Sequence, residues 1–454
     1  MSTSFLSTIL PAGRRSAALP LREVAGADLA VPLADGRQIR FANLDYAASA
    51  PALAGVAAHL QELLPYCASV HRGAGYTAQV STAVYERARS TLRGFVGGRN
   101  GDQVVFTRNS TDALNLLSGC VPGEVLYLDI EHHANLLPWQ RIPHRGIAAE
   151  PTIAGTLAAL EAELALGRTS LLAVTGASHV TGELFPVAEA ARLARRHGAR
   201  ILVDAAQLAA HRRIDMAADG IDYVVLSGNK LYAPFGAGAL IGPGDWLDSG
   251  TPYLAGGGPV RRARLDTATW STGPARHEAG SPNLMGVAAL AKAAELLAEL
   301  DTKAWYRHEE ALRNYLVAGL EALPDVKVHR IFPGDAADAV GIVNFSIAGY
   351  DAGLAAAYLS AEHGVGVRDG KFCAHPLLNR LGLPSGSLRA SFGIGSRLDD
   401  AARLIAGVDA LLREGLGQDY VVEHDRWVPA LETRPFPDWA PAMPGTAGAA
   451  PADS

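Results

Sequence analysis

The sequence predicts an α/β protein whose mostly parallel sheet has helices on both faces and is followed by a smaller α/β domain. Short runs rich in Val, Ile and Leu alternate with amphipathic segments, and these runs are apolar throughout, as in strands buried on both faces. One amphipathic segment is a clear helix, because Val187, Ala190, Ala191 and Ala194 recur at helical spacing and Gly198 follows where a helix would end. Strand–helix–strand repetition of this kind indicates parallel strands joined by crossover helices.

The predicted elements divide the chain into a large and a small domain. We expect an N-terminal arm and the start of the small domain at 1–49, the large domain at 50–295, the small domain at 296–425, and an extension at 426–454 whose end is disordered. In the small domain, Asp351 is expected to cap a helix that ends at His363 and Gly364, and a last long helix follows after residue 400. The large domain contains six predicted strands, at 104–107, 125–128, 171–175, 200–204, 223–227 and 238–241.

Composition excludes several classes of function. The formal net charge of −6 provides no overall attraction to nucleic acid or to anionic membranes. No apolar run reaches the roughly 18 residues that a membrane span needs. The three cysteines, Cys67, Cys120 and Cys373, contain no CxxC pair, so we predict a reducing, cytoplasmic location and no thiolate metal site. Cys67 and Cys120 stand in helical, apolar surroundings and are expected to be buried.

Polar side chains stand at the carboxyl ends of two consecutive predicted strands. One strand ends in Asp204, with Gln207 three residues later, and the next ends in Ser227, with Lys230 in an apolar stretch. Ligands of open parallel sheets bind beyond the carboxyl ends of strands, so Asp204 and Lys230 are predicted to face one crevice. A desolvated lysine is a usable amine nucleophile, and a carboxylate can keep a pyridine nitrogen protonated. This pair suits pyridoxal 5′-phosphate (PLP), although Asp204 taken alone is more typical of a helix cap or a salt bridge.

A phosphate site is predicted after the strand at 104–107. Asn109, Ser110 and Thr111 precede a helical stretch, and hydroxyls with free N–H groups at a helix N-terminus bind anions. The alternative is an ordinary helix cap. After another strand come Glu131, His132 and His133, whose spacing does not fit the helical HExxH pattern, so a metal is not predicted there. Stacking on a cofactor ring or a hydrogen-bonded turn suits these histidines better.

Taken together, the sequence resembles the class V aminotransferase superfamily of fold-type I PLP enzymes, in its cysteine desulfurase/selenocysteine lyase branch. The resemblance covers about residues 43–412 and implies a sheet of the seven-stranded type. Any one matching block is weak evidence for the family, but many blocks in the family's order are specific evidence for it. The blocks are residues 44–50, 70–73, 106–115, 131–140, 203–207, 227–230, 256–258, 278–283, 367–374 and 388–391.

The resemblance implies roles around the cofactor ring and its phosphate. Lys230 would hold PLP as a Schiff base and Asp204 would pair with the pyridine nitrogen. Gln207 would contact the phenolic oxygen and His132 would stack on the ring. The remaining cofactor contacts implied are hydroxyl and amide groups that hold the phosphate, from Ser110, Thr111, Ser227 and Asn229.

The resemblance also implies contacts to the substrate and to a second subunit. Arg389 would bind the carboxylate of an amino-acid substrate, and Arg368 would line the same pocket. Ser281 stands where the family has a threonine that reaches the phosphate in the partner subunit, which implies a homodimer with shared active sites.

Two positions depart from the family pattern beside the predicted site. His179 stands where asparagine is usual near the substrate, and Asn229 stands where histidine is usual before the lysine. Both changes alter size, and His179 adds a group that can move a proton near neutral pH. We hypothesise that the natural substrate has a different or larger side chain than free L-cysteine. The alternative is that each residue preserves a hydrogen bond and the substrate is unchanged.

Cys373 has two possible interpretations. In desulfurases a cysteine in this loop takes the substrate sulfur as a persulfide, and Arg368 and Lys371 would favour a reactive thiolate here. Alternatively, Cys373 is a pocket-lining residue of an enzyme that moves no sulfur. The predicted function is therefore a cysteine desulfurase-like C–S lyase with a possible sulfur-acceptor protein.

Other functions remain open beside the desulfurase. One is a class V aminotransferase, epimerase or cysteine-conjugate C–S lyase that does not use Cys373. A non-enzymatic PLP-fold binding protein is disfavoured, because Lys230, Asp204 and Arg389 are all present. A dinucleotide-dependent dehydrogenase is disfavoured as well, because no GxGxxG follows a first strand.

Overall fold

The computed structural model of the protein describes residues 19–335 and 337–440. In this part of the chain the strands are β1 (Ala30–Pro32), β2 (Gln38–Arg40), β3 (Ala42–Asn43), β4 (Gln103–Thr107), β5 (Glu124–Leu128), β6 (His144–Ile147), β7 (Thr169–Thr175), β8 (Arg200–Asp204), β9 (Tyr223–Ser227), β10 (Gly238–Gly242), β11 (Val260–Ala263), β12 (Ala268–Trp270), β13 (Val326–Val328), β14 (Ile342–Ile347), β15 (Val365–Gly366), β16 (Arg368–Gly370), β17 (Ser387–Ser391), β18 (Tyr420–Glu423) and β19 (Arg426–Pro429).

The α-helices of the same ranges follow most of these strands. They are α1 (Ala54–Leu63), α2 (Tyr76–Phe95), α3 (Ser110–Ser118), α4 (Ile153–Leu164), α5 (Val187–Arg196), α6 (Met216–Asp219), α7 (Gly244–Ser249), α8 (Leu284–Ala298), α9 (Thr302–Glu321), α10 (Ala352–His363), α11 (His375–Arg380) and α12 (Leu398–Glu414). Within the described residues, no helix is both long enough and apolar enough to cross a membrane.

A seven-stranded mixed sheet forms the centre of the fold, in the order β4-β10-β9-β8-β7-β5-β6. Strands β9, β8, β7, β5 and β6 pair in parallel, and β10 is antiparallel to both of its neighbours. The predicted α/β fold with a mostly parallel sheet is therefore confirmed, and all six predicted strands are present. The seventh strand, β6, was not predicted. It is an edge strand of alternating exposed and partly buried residues, so it lacks the apolar run that marks a central strand.

Both faces of this sheet are buried, because successive side chains of a strand point in opposite directions. On β8, Ile201 and Val203 belong to one hydrophobic core, which also contains residues of α1, α2 and α8. Leu202, between them, belongs to a second core on the other face, which contains residues of α3. The apolar runs of the sequence are thus the direct result of helices that cover both faces.

The second sheet is antiparallel and four-stranded, in the order β13-β14-β17-β16. Helices α9, α10 and α12 pack on it around a separate core. The predicted helix start is confirmed, since the Asp351 carboxylate accepts hydrogen bonds from the N–H groups of Gly353 and Leu354. Gly364 ends α10 in the left-handed conformation, with φ of 60°.

The N-terminal part of the described chain is attached to this second sheet region. Strand β3 pairs in parallel with β15, and the Ala34 N–H donates to the Ala361 carbonyl at the end of α10. The hairpin of β1 and β2 was not predicted, because strands of three residues show no measurable periodicity. Residues 1–18 of the expected arm, and residues 441–454 of the expected disordered end, lie outside the described residues.

The burial of the cysteines differs in part from the prediction. Cys120 is buried as expected, but Cys67 is exposed, so the expectation of two buried core cysteines is wrong for Cys67. Cys67 directly follows the short 3-10 helix Leu64–Tyr66 and has an extended backbone, so the chain leaves the helical surroundings there. Cys373 is also exposed.

Candidate active site

A cavity of about 140 Å³ lies at the carboxyl ends of the central strands. Nine of the predicted site residues line it, together with Asn109 of the predicted phosphate site and with Thr175 and Ala206, to which the sequence assigned no role. Thr175 is the last residue of β7, so its position at a strand end was the signal that could have identified it. The nine predicted residues are Ser110, Thr111, His132, His179, Asp204, Gln207, Ser227, Asn229 and Lys230.

Lys230 and Asp204 reach this cavity from neighbouring parallel strands. Asp204 is the last residue of β8, and Lys230 follows the end of β9 by three residues. Burial lowers the pKa of Lys230, Asp204 raises it, and Arg389 lowers it further. Within the described residues the Lys230 amine makes no side-chain hydrogen bond and no ion pair within 4.0 Å. A partly buried amine without such a partner is available for chemistry.

Asp204 is held in a fixed position by the turn that follows it. Its Oδ1 accepts a hydrogen bond from the Ala206 N–H at 3.0 Å. Burial raises the pKa of Asp204, whereas that N–H and the charge of Lys230 lower it. Gln207, from the same turn, donates through Nε2 to the Ala47 carbonyl at 2.8 Å. This bond fixes the amide plane of Gln207 at the wall of the cavity.

Hydroxyl groups line the cavity at the start of α3. Ser110 is the first residue of this helix, and the Asn109 side chain caps it by accepting from the Asp112 N–H. The capping role that the sequence left open therefore belongs to Asn109, which leaves the Ser110 and Thr111 hydroxyls at an electropositive helix end.

Asn229 uses its amide within the protein. Its Oδ1 accepts from the Ser227 hydroxyl at 2.7 Å, and its Nδ2 donates to the Ala48 carbonyl at 3.0 Å. The side chain thus links the end of β9 to the segment at Ala48. One N–H of Nδ2 and the lone pairs of the Ser227 oxygen remain for a ligand.

Two histidine rings meet edge to face in the cavity. The ring centroids of His132 and His179 are 4.8 Å apart. Burial lowers the pKa of His132 to about 4, and the charges of Lys230, His133 and Arg389 act in the same direction. His132 Nδ1 accepts from the Ala134 N–H, so its proton is on Nε2. His132 is therefore a neutral ring at neutral pH, suited to stacking rather than to ion pairing.

Arg389 contacts the backbone of His179 and is almost completely buried. It donates to the His179 carbonyl at 2.7 Å and to Asp45 Oδ1 at 3.2 Å, and its Nε has no hydrogen-bond partner among the described residues. Asp45 is also 3.9 Å from Arg368, which is exposed and lines a separate cavity of about 490 Å³. Arg368 and Arg389 are thus linked through Asp45, which lies in the matching block 44–50 and had no predicted role.

Cys373 lies in a loop of residues 371–374, here called the Cys373 loop. Its backbone carbonyl accepts from the His133 N–H at 2.8 Å. Cys373 does not line the 140 Å³ cavity, yet a negative charge on its sulfur would raise the pKa of both Lys230 and Arg389. The thiol therefore lies within electrostatic range of the two cationic groups of the site.

Four predicted site residues do not line this cavity: Cys373, Arg389, Ser281 and Arg368. Ser281 is exposed and lies between Gly280 and Pro282, which line a different cavity of about 590 Å³. Arg368 lies at the cavity beside Asp45. In the described ranges no group of three or more His, Cys, Asp or Glu side chains could hold a metal ion.

The profile of the family described as Aminotransferase class-V matches residues 42–404. The chain belongs to the class V aminotransferase family. Cysteine desulfurase of Dickeya dadantii is 34% identical over 390 residues, which cover 82% of this chain and 92% of that protein. Probable cysteine desulfurase of Halobacterium salinarum is 35% identical over 76% of this chain and 85% of its own length.

Solved structures of class V enzymes have the same fold. The cysteine desulfurase CsdA from Escherichia coli superposes with a TM-score of 0.72 at 31% identity, covering 82% of this chain and 94% of its own. The apo cysteine desulfurase from Thermococcus onnurineus NA1 gives a TM-score of 0.75 at 28% identity, with coverage of 82% and 95%. The resemblance stated from the sequence is confirmed.

Class V aminotransferase-family enzymes depend on PLP, and the cavity residues fit this cofactor. The site combines a desolvated amine, a buried carboxylate on the neighbouring strand, a neutral imidazole, and hydroxyls at a helix N-terminus. These groups match an aldehyde, a pyridine nitrogen, an aromatic ring and a phosphate, respectively. The protein is a PLP-dependent enzyme.

Proposed function

We propose that this class V enzyme is a cysteine desulfurase-like C–S lyase that works as a homodimer in the cytoplasm. The observation that carries the proposal is the position of Cys373, an exposed thiol within electrostatic range of Lys230 and Arg389. A thiol in this position can meet the side chain of an amino acid whose other groups are held in the cavity. The homology to cysteine desulfurases supports the same reaction.

We assign the cofactor contacts as follows. Lys230 would hold PLP covalently, Asp204 would pair with its pyridine nitrogen, and His132 would lie on its ring. Gln207 would contact the phenolic oxygen. The hydroxyls of Ser110 and Thr111 and the free N–H of Asn229 would donate to the phosphate, and the Ser227 hydroxyl would rotate away from Asn229 to donate as well. When bound, PLP supplies an electron sink that stabilises negative charge on the substrate.

The protein groups around this cofactor would bind the substrate and move its protons. Arg389 would bind the substrate carboxylate, since its Nε is buried and has no hydrogen-bond partner among the described residues. Arg368 would add positive charge beside Asp45, which links it to Arg389. Lys230 Nζ would carry the proton of the α-carbon, because burial lowers the pKa of this amine and favours its neutral, basic form.

Cys373 would act as the nucleophile toward the substrate sulfur. Its Sγ forms an S–S bond with that sulfur while the C–S bond of the substrate breaks. The electron pair of the broken bond stays with the substrate carbon, which takes up a proton and gives alanine. Cys373 is left as a persulfide, from which an acceptor protein or a reducing thiol removes the sulfur.

Product analysis tests this proposal directly. Purified holoenzyme with L-cysteine and dithiothreitol is expected to release alanine and sulfide in equal amounts, because the reaction removes the sulfur and retains the amino group. Pyruvate with ammonia would indicate elimination, a keto acid would indicate transamination, and a D-amino acid would indicate epimerisation. Each of these three results would contradict the desulfurase and select one of the other class V activities.

The larger-substrate hypothesis for His179 and Asn229 is tested by the same products. Free L-cysteine should react poorly in the native enzyme if the hypothesis holds. The double reversal, His179→Asn with Asn229→His, should then increase kcat/KM on L-cysteine. Efficient desulfuration of cysteine by the native enzyme, without a gain on reversal, would contradict it.

The dimer is proposed from the position of Ser281. Ser281 is exposed and does not line the 140 Å³ cavity of its own subunit. The segment 64–76 contributes to the 590 Å³ cavity beside Ser281, and it exposes the large apolar side chains of Leu64, Tyr66 and Tyr76. An exposed apolar surface beside a residue expected to bind a phosphate suits an interface between two copies of the chain. We expect a particle of about twice the 47.5 kDa chain mass in light scattering.

Mixed dimers test whether Ser281 serves the partner's site. Ser281→Asp places a negative charge next to the phosphate and should inactivate the enzyme, as should Lys230→Ala. If Ser281 acts across the interface, dimers of one Lys230→Ala and one Ser281→Asp chain contain one intact site. Co-expression of the two variants should then restore about a quarter of native activity, since about half of the dimers are mixed. No restoration, or a fully active monomer, would contradict shared sites.

A further inference from the structure

The His179 side chain is directed at the backbone of the Cys373 loop. Its Nε2 lies 3.0 Å from the carbonyl oxygen of Phe372, the residue that precedes Cys373. A carbonyl oxygen can only accept a hydrogen bond, so the His179 proton is on Nε2. The imidazole is buried, and its own backbone carbonyl is held by Arg389 at 2.7 Å. Hydrogen bonds therefore hold His179 both at its ring and at its backbone.

The Cys373 loop adopts a backbone conformation that needs such a contact. Phe372 and Cys373 have φ angles of 51° and 52°, in the left-handed region that side chains with a Cβ disfavour. Two consecutive residues of this kind persist only when neighbouring groups hold them. The two carbonyls of this pair are held by donors on two different segments of the seven-stranded sheet: His179 after β7 and the His133 N–H after β5.

We propose that His179 is a positioning residue that fastens the Cys373 loop to the large sheet and so fixes where the Cys373 thiol stands. The inference rests on the proposed function only for its catalytic consequence, since the fastening itself is a property of the resting enzyme. It assigns His179 to the nucleophile loop, whereas the sequence suggested a contact with the substrate.

The length of the histidine side chain explains why it suits this contact. The family usually has asparagine here, and the donor nitrogen of asparagine is one bond closer to its Cα than Nε2 of histidine. Glutamine, by contrast, carries its donor nitrogen the same number of bonds from Cα as histidine. Burial lowers the pKa of His179 well below its usual value, and the charges of His132, Arg389 and Lys230 add to this effect. The ring is therefore neutral, and its single N–H is used by the loop.

Hydrogen exchange of the resting holoenzyme tests the proposal without any turnover. Two amides of the loop region have partners in the structure: the Ala374 N–H with the Lys371 carbonyl and the His375 N–H with His133 Nε2. In His179→Asn, amides of the peptide covering residues 370–377 should exchange about tenfold faster, as expected for loss of one hydrogen bond. In His179→Gln they should stay within about twofold of the native rate, because the donor is restored.

Two comparisons make the result decisive. Amides of α5, which is remote from the loop in sequence, should exchange at native rates in both variants. Native exchange of the loop in His179→Asn would overturn the proposal, as would equally fast exchange in His179→Gln or faster exchange throughout the protein. For sulfide release from L-cysteine, kcat should fall in His179→Asn and recover in His179→Gln, whereas the larger-substrate hypothesis expects kcat/KM to rise in the variant that also carries Asn229→His. If the enzyme releases no sulfide at all, the proposed function fails while the exchange result still decides the role of His179.

Discussion

Replacement of Lys230 by alanine is expected to remove covalently bound PLP and to lower turnover by about 10⁴-fold or more, the largest effect of any single change at this site. The amine follows the carboxyl end of β9 and can bond an aldehyde carbon, and its pKa is raised by the charge of Asp204. Its removal therefore deletes a covalent anchor and a proton carrier together.

The cofactor should be visible in the purified protein. The native enzyme should be yellow, and borohydride reduction followed by mass spectrometry should locate a pyridoxyl group on the peptide that contains Lys230. The Lys230→Ala variant should be colourless as purified and should carry no pyridoxyl group on this peptide after reduction at any concentration of added PLP. A matched control is Lys303→Ala, which removes an exposed lysine at the start of α9 and should leave colour and turnover unchanged.

The pKa of Lys230 adds a pH dependence to this prediction. Burial lowers the pKa of the amine, and the charge of Asp204 raises it, so Asp204→Asn should lower it further. In that variant, lysine modification by PLP should extend to lower pH than in the native protein. A native protein that stays colourless with PLP, or a Lys230→Ala variant that keeps native turnover, would contradict the assignment of Lys230.

Replacement of Cys373 by alanine is expected to reduce sulfide release from L-cysteine by at least about 100-fold while the absorbance of lysine-bound PLP stays at its native position. The separation of the two effects follows from the structure. Cys373 is outside the lining of the 140 Å³ cavity, so it should not be needed to bind the cofactor. Its charge nevertheless couples to Lys230 and Arg389, so it can reach a substrate that these residues hold.

Cys67→Ala provides the matched control, because Cys67 is the other exposed cysteine among the described residues and does not line the cavity. This variant should release sulfide at the native rate. Mass spectrometry of the native enzyme after a single turnover should find one extra sulfur on the peptide that contains Cys373. Equal turnover by native enzyme and Cys373→Ala would identify the thiol as a bystander and would favour a class V activity that moves no sulfur.

Much of the site could be predicted because its residues stand directly after strands. Asp204 and Lys230 end consecutive apolar runs, and consecutive runs of a parallel sheet place their carboxyl ends side by side. His132 and Ser110 follow other strands of the same sheet in the same way. The periodicity that predicts the strands therefore also predicts which polar side chains meet.

Other features could not be predicted because they depend on contacts between distant parts of the chain. Asp45 and Arg389 form an ion pair across 344 positions, and no local pattern marks Asp45 as the partner. Cys67 has helical, apolar neighbours in sequence, yet it is exposed because the chain leaves the short 3-10 helix at that residue. The edge strand β6 has only one neighbour in the sheet, β5, so it lacks an apolar run.

The sequence by itself determined the α/β fold class and six of the seven central strands, because these depend on local periodicity. Asp204 and Lys230 at consecutive strand ends indicated the cofactor, and the family followed from motif blocks that resemble it in order along the chain. Only the tertiary structure decided what the side chains contact. It directs His179 to the Phe372 carbonyl, engages the Asn229 amide with Ser227 and Ala48, and links Arg389 to Asp45. The physical reason is that a hydrogen bond depends on distances of about 3 Å between atoms, and the backbone of a folded chain sets those distances among residues far apart in sequence.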